Sequence, residues 1–124
     1  MQEPWRDDLP IYRQLHEKIL GLILTGALKE GEAIPSVRQV ASDYQINHLT
    51  VAKAYQELVD AGLVEKRRGL GMFVLPGARK KAAVAERKKF LSLELPQLIE
   101  RARQLEISQA ELTKAIHQIM KEKN

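Results

Sequence analysis

A chain of 124 residues, 44% apolar and 29% charged, has room for one globular domain plus an appendage. It contains no cysteine, which removes disulfide frameworks and thiolate chemistry, and its longest apolar run, near residues 19–24, is far too short to span a bilayer. The net charge of +4 is uneven: residues 1–78 carry 9 basic and 10 acidic side chains, residues 79–124 carry 11 and 6.

The amino-terminal segment MQEPWRDDLP is polar and acidic, unlike a secretory signal, and with the absent cysteines it points to the cytoplasm. A first helix is expected from Pro10, which suits a helix start, to about Thr25, with Gly26 as the stop. Ile11, Leu15, Ile19, Leu22 and Ile23 recur at three- and four-residue steps and predict its buried face. The glycine- and proline-bearing stretch ALKEGEAIP reads as a loop with one bridging strand residue near Ile34.

Ser36 followed by Gln39 is a capping-box pattern and opens a second helix, with Val37, Val40, Ala41 and Tyr44 as its apolar stripe and Arg38 pointing outward. After the turn YQIN, Asn47 is placed to cap a third helix, and Ile46 and Val51 hold the two positions of a hydrophobic staple. Val51, Ala54, Tyr55, Leu58 and Val59 predict the buried side, and Gly62 ends the helix. Leu49 lies two residues, about 200°, from Val51 and faces away from the core with His48, Ala52, Lys53 and Gln56. Two short helices joined by a tight turn, the second free on its outer side, make a helix-turn-helix whose second helix can enter a major groove.

Residues 63–66 and 72–75 read as two strands joined by a glycine-bearing loop from Arg67 to Gly71. Alternation is expected to bury Leu63 or Val64 with Phe73 and to leave Lys66, Arg67 and Arg68 at the edge or tip, as a basic wing. The loop glycines are no dinucleotide fingerprint, because no third glycine follows and the next element is a strand. Beyond Pro76-Gly77 the composition turns helical, and Leu91, Leu95, Leu98, Ala102 and Leu105 follow the steps of a coiled-coil seam, with Pro96 expected to kink or break it near residues 93–95. Ser108 and Glu111 form a second capping-box pattern before a last helix with Leu112, Ala115, Ile116 and Ile119 on one face.

Three basic triplets, Lys66-Arg67-Arg68, Arg79-Lys80-Lys81 and Arg87-Lys88-Lys89, favour an anionic partner such as nucleic acid; the alternative for the last is a solvated helix face. His16, His48 and His117 are scattered without a second ligand at metal spacing, and no nucleophile–base–acid set can be named. No enzyme, cofactor, metal or membrane role is expected.

Residues 9–75 resemble the GntR family of bacterial transcription regulators. The resemblance rests on Pro10-Ile11-Tyr12, Gly26-Ala27-Leu28, Gly31, Pro35-Ser36-Val37-Arg38, Thr50-Val51, Ala54-Tyr55, Gly62-Leu63 and Gly69-Leu70-Gly71-Met72-Phe73-Val74. The short tail, residues 76–124, resembles the YtrA subfamily, which carries a two-helix dimerisation unit. The resemblance implies a mainly α fold with a small β-hairpin: a winged helix-turn-helix over residues 1–75 and a helical dimerisation tail over 76–124. It implies a homodimer that binds a palindromic double-stranded DNA operator, usually as a repressor. Arg38, His48, Thr50 and Gly69 are carried over as DNA-contact positions. Asn47, Leu49, Lys53, Arg67 and Arg68 join them from the outward-face argument. Leu91, Leu95, Leu98, Ala102, Leu105, Leu112, Ile116 and Ile119 are the expected dimer contacts. Asn47 stands where serine or threonine is commoner in the family and His48 where arginine is commoner, so operator preference is expected to differ. The alternative is a winged helix used for protein contacts without DNA. A small-molecule effector is left open.

Overall fold

The computed structural model describes residues 5–123; the first four residues of the polar amino-terminal segment lie outside it. The chain forms α1 (Ile11–Thr25), α2 (Val37–Tyr44), α3 (His48–Asp60), β1 (Val64–Arg67), β2 (Gly71–Val74), α4 (Ala78–Lys89), a π-helical turn (Phe90–Glu94), α5 (Leu95–Gln104) and α6 (Gln109–Lys123). It divides into two compact units, Met1–Val84 and Ala85–Asn124.

The first unit is built around α3, which packs on both α1 and α2. Leu15, Ile19, Leu20 and Ile23 of α1 meet Val51, Ala54, Tyr55 and Leu58 of α3, and Val40, Ile34, Leu63, Val64 and Val74 close the core. The buried side of α1 is centred on Ile19 and Ile23, so it takes in Leu20, while Leu22 falls past its edge and is exposed. Val59 is only half-buried. Ala78 and Ala82 of α4 are also core residues, so the packing of the winged unit continues past Pro76.

The turn between α2 and α3 has a specific closure. The Gln45 amide donates to Ser42 and the Ile46 amide to Ala41, with Gln45 in the left-handed region at φ 54°. This is the Schellman pattern, which satisfies the last carbonyls of α2. Ile46 then packs against the core that holds Val51, as the staple requires. One residue therefore ends one helix and fixes the entry angle of the next. Gly62 closes α3 in the same way: its amide donates to Val59 and that of Leu63 to Leu58.

The hairpin pairs Val64 with Val74 and Arg67 with Gly71. Leu63 and Val64 are both buried, not one of the two, because Leu63 completes the closure of α3 and Val64 opens the strand opposite Val74. Val74 takes the core position expected of Phe73, and alternation turns Phe73 to the other face, half-buried. The loop before α2 adds a bridge from Ala33 to Phe73, one residue from the expected position. Ile34 donates to the Met72 carbonyl at 2.9 Å and Val74 to that of Glu32 at 2.9 Å.

Two residues of the first α4 triplet are committed within the unit. Arg79 Nε donates to the Leu24 carbonyl at 3.1 Å, at the carboxyl end of α1. The Lys81 ammonium lies against Gly62, in the space a Cβ there would fill, just past the end of α3. Both cations complement helix carboxyl-terminal dipoles. Both side chains are nonetheless exposed, so these contacts direct their charges without removing them.

In the second unit Pro96 does not break the chain. The Leu95 amide donates to the Phe90 carbonyl, five residues back, and this widened turn makes room for the proline ring before α5 resumes. α5 ends on a further Schellman closure, with Glu106 at φ 57° and the Ile107 amide on Ala102. Ser108 Oγ then accepts from the Glu111 amide at 3.1 Å and starts α6.

Candidate nucleic-acid interface

Side chains reach the outer surface of α2 and α3 because the turn and caps spend the local hydrogen-bonding groups. Ser36 Oγ accepts from the Gln39 amide at 3.0 Å. The reciprocal half of that box is absent: Gln39 Nε2 donates to Asp43 Oδ1 at 2.8 Å, along the helix. Asn47 Oδ1 accepts from the Leu49 amide at 2.8 Å, and the Asn47 carbonyl accepts from the Thr50 amide at 3.0 Å. Two first-turn amides are therefore occupied within the chain, and recognition at this end falls to side chains.

His48 is exposed, Leu49 is 65% exposed and Thr50 is half-buried. Arg38 is exposed on α2. A groove of ≈ 740 Å³ between these elements is lined by Arg38, Ser42, Asn47 and His48, with Val37, Ala41 and Ile46 beneath. The structure thus brings Arg38, Asn47 and His48 to one depression. Lys53 is exposed but engaged: its ammonium lies 3.9 Å from the centroid of the Tyr12 ring on α1. That cation–π contact fixes the direction of the charge without removing it.

Tyr55 is a positioning residue that periodicity assigned only to the core. Its hydroxyl donates to the Pro35 carbonyl at 2.5 Å. Burial, with a smaller contribution from nearby Tyr44, pushes the phenol well above its ordinary pKa, so it stays a donor. The bond ties α3 to the residue before the Ser36 cap, and so places Arg38 relative to the recognition helix. A tyrosine in an aliphatic stripe is the available signal, because a buried phenol requires a partner.

At the wing, the Arg67 guanidinium lies 4.2 Å from the Phe73 ring centroid and pairs with Glu65 at 3.4 Å, all on one face of the hairpin. Arg68, Gly69 and Leu70 form the exposed tip, with Gly69 at φ 75°. Among the described residues there is no group of three or more His, Cys, Asp or Glu side chains able to hold a metal, and no helix long and apolar enough to cross a membrane.

Comparison with known proteins matches residues 11–74 to the family described as bacterial regulatory proteins, gntR family. The chain belongs to the GntR family. Over 94 residues it is 37% identical to the HTH-type transcriptional repressor YtrA of Bacillus subtilis, covering 76% of this chain and 72% of YtrA. A transcriptional regulator from Oenococcus oeni superimposes with a TM-score of 0.74 at 27% identity, over 95% of this chain and 97% of that one. The DNA-binding domain of AraR, solved in complex with operator ORX1, superimposes with a TM-score of 0.52 at 31% identity, over 60% of this chain and 90% of that domain. The GntR chain described here is therefore a transcription regulator with a DNA-binding helix-turn-helix, not an enzyme, and the expected mainly α winged-helix fold is borne out.

The tail residues divide by exposure. Leu91, Leu98, Leu105, Ile116 and Ile119 are exposed, Leu95 and Leu112 are half-buried, and Ala102 is buried within the single chain. Phe90, Leu93 and Met120 are further exposed apolar residues that heptad spacing passed over.

Proposed function

We propose that this regulator is a cytoplasmic repressor that binds a palindromic operator as a homodimer. α3 enters the major groove amino-terminus first, and Arg38, Asn47, His48, Leu49 and Thr50 are its contact set. Lys53, Arg67, Arg68 and Gly69 meet backbone and the neighbouring groove. The observation that carries the reading is the shared depression of Arg38, Asn47 and His48 beside the exposed Leu49. Arg38 offers a guanidinium fork to phosphate or to guanine O6 and N7, and Leu49 offers an apolar surface to a thymine methyl. The solved complex of the related AraR domain with its operator supports DNA as the partner. Phosphate neutralisation supplies most of the affinity, and the first turn of α3 supplies sequence choice.

Two copies are brought together by the exposed apolar side chains of residues 85–124. Such a dimer places two recognition helices on half-sites about one helical turn apart. In this reading residues 1–75 read the DNA and the dimerisation tail lies within 76–124, its first turns completing the winged unit's core through Ala78 and Ala82.

The test is selection of bound duplexes from a random pool by the full chain, repeated at raised salt. A two-fold-symmetric consensus is expected, with affinity falling steeply as salt rises. Recovery of no consensus, together with salt-insensitive retention, would favour a protein-contact role for the winged helix.

A further inference from the structure

The contact set above does not include the apolar side chain at the tip of the wing. Leu70 is 71% exposed, more than any other large apolar residue among those described. It stands at the tip of a hairpin with basic residues at Lys66, Arg67 and Arg68. The tip is ordered by its own bonds: the Leu70 amide donates to the Arg67 carbonyl at 2.9 Å, which closes a β-turn. Gly69 at φ 75° and Gly71 at φ 110° flank the leucine in conformations that side-chain-bearing residues rarely adopt. A Cβ built at either glycine would meet nothing within 4 Å, so the space beside the leucine is open, and the two glycines add no side chains of their own to the tip. Arg67 is drawn back along the hairpin onto Phe73 and Glu65, while Arg68, two residues before Leu70, is exposed at the tip.

We infer that Leu70 is a specificity-determining residue of the wing, which lies on the floor of the minor groove and selects base pairs lacking a 2-amino group. The inference rests on the DNA-binding reading. A minor groove about 6 Å wide admits a narrow tip and excludes a bulky one. Its floor shows only acceptors at A·T pairs, whereas G·C adds the guanine 2-amino donor. Leucine has no acceptor for that donor, so a G·C pair beneath it leaves a polar group dry and unpaired. Arg68 favours the same sites, because narrow A·T-rich grooves concentrate negative potential. A polar or cationic residue at position 70 would soften this choice.

The experiment uses the full chain and a duplex recovered by selection, with the wing-facing pairs located by hydroxyl-radical footprinting. Those pairs are then made A·T, inosine·C, G·C or 2,6-diaminopurine·T. Inosine·C has the major-groove edge of G·C without the 2-amino group, and diaminopurine·T is the reverse case. Wild type should bind A·T and inosine·C alike, and G·C and diaminopurine·T about tenfold more weakly, the lower end of what an unpaired buried donor costs. Leu70→Ala should shrink that gap to under about threefold, with its thermal unfolding unchanged. Grouping of inosine·C with G·C, or an unaltered gap in Leu70→Ala, overturns the inference while DNA binding stands. A Leu70→Ala variant whose free form changes its sedimentation coefficient assigns the leucine to a protein contact and overturns it equally. Failure of wild type to bind every duplex overturns the functional reading itself.

Discussion

Among the described residues, those up to 84 close a core of fifteen buried apolar side chains, whereas from 85 onward only Ala102 is buried. Both stretches carry apolar residues at helical spacing. In the first, three helices and a hairpin give each stripe a neighbour. In the second, two helices and a π-helical turn leave Leu98, Leu105, Ile116 and Ile119 in water. Covering a leucine or isoleucine contributes about 1.5–3 kcal/mol, so each exposed one represents stabilisation that a single copy forgoes. The contrast teaches that the two units draw on different sources of stability. The winged unit has a self-sufficient core, and the proposed dimer would supply one to the tail by association.

Five predictions break or sharpen that contrast. The largest effect is expected for Leu58→Ala, which empties a fully buried site on α3 and should cost about 2–5 kcal/mol in chemical denaturation. Leu105→Ala, on the exposed side of the tail, should stay within about 0.5 kcal/mol in dilute monomer. Equal losses at the two sites would mean that the tail is already packed. Next comes the pair Leu91→Asp with Leu98→Asp. It should yield monomers by sedimentation and weaken operator binding on the order of 10²-fold as the second half-site is lost. A dimer that survives both charges moves the seam to other residues, Phe90, Leu93 and Met120 first among them.

Arg38→Ala should weaken operator binding by about 1–3 kcal/mol without altering thermal unfolding, since the side chain is exposed. An unchanged titration would remove Arg38 from the contact set. The smallest effects are expected at the left-handed positions. Gln45→Gly and Glu106→Gly, one in each unit, relieve the same backbone penalty and should each raise stability by about 1 kcal/mol. At Gly62 the reverse change to Ala is destabilising, because φ is 75° and the Lys81 ammonium occupies the added carbon's place. A stabilised Gly62→Ala variant would show that this contact is dispensable.

Much of the fold was legible because local chemistry announces itself. Gly26 and Gly62 mark helix ends, Ser36, Asn47 and Ser108 mark starts, and all three caps accept the amides expected of them. The outward direction of Leu49 followed from its angle to Val51 and is borne out by its exposure. Less legible was everything set by a partner distant in sequence. Tyr55 is core as expected, but the bond from its hydroxyl to the Pro35 carbonyl, twenty residues away, left no trace in the spacing. The bond from Arg79 to the Leu24 carbonyl, fifty-five residues away, was equally invisible in its basic triplet. Phe73 and Val74 exchanged their expected roles because the register opposite Val64 decides which strand face points inward. Gln39 was read as half of a box, and Asp43 offered it a nearer partner along the helix.

By itself the sequence determined where helices begin and end, which side of α3 is apolar, and where positive charge collects. Those features depend on caps, φ preferences and periodicity within a few residues. Only the tertiary structure decided which cations are committed to helix ends, which tyrosine positions the contact surface, and that Arg38, Asn47 and His48 share one depression. Such outcomes depend on which distant groups packing brings within bonding distance, and spacing along the chain carries no record of that.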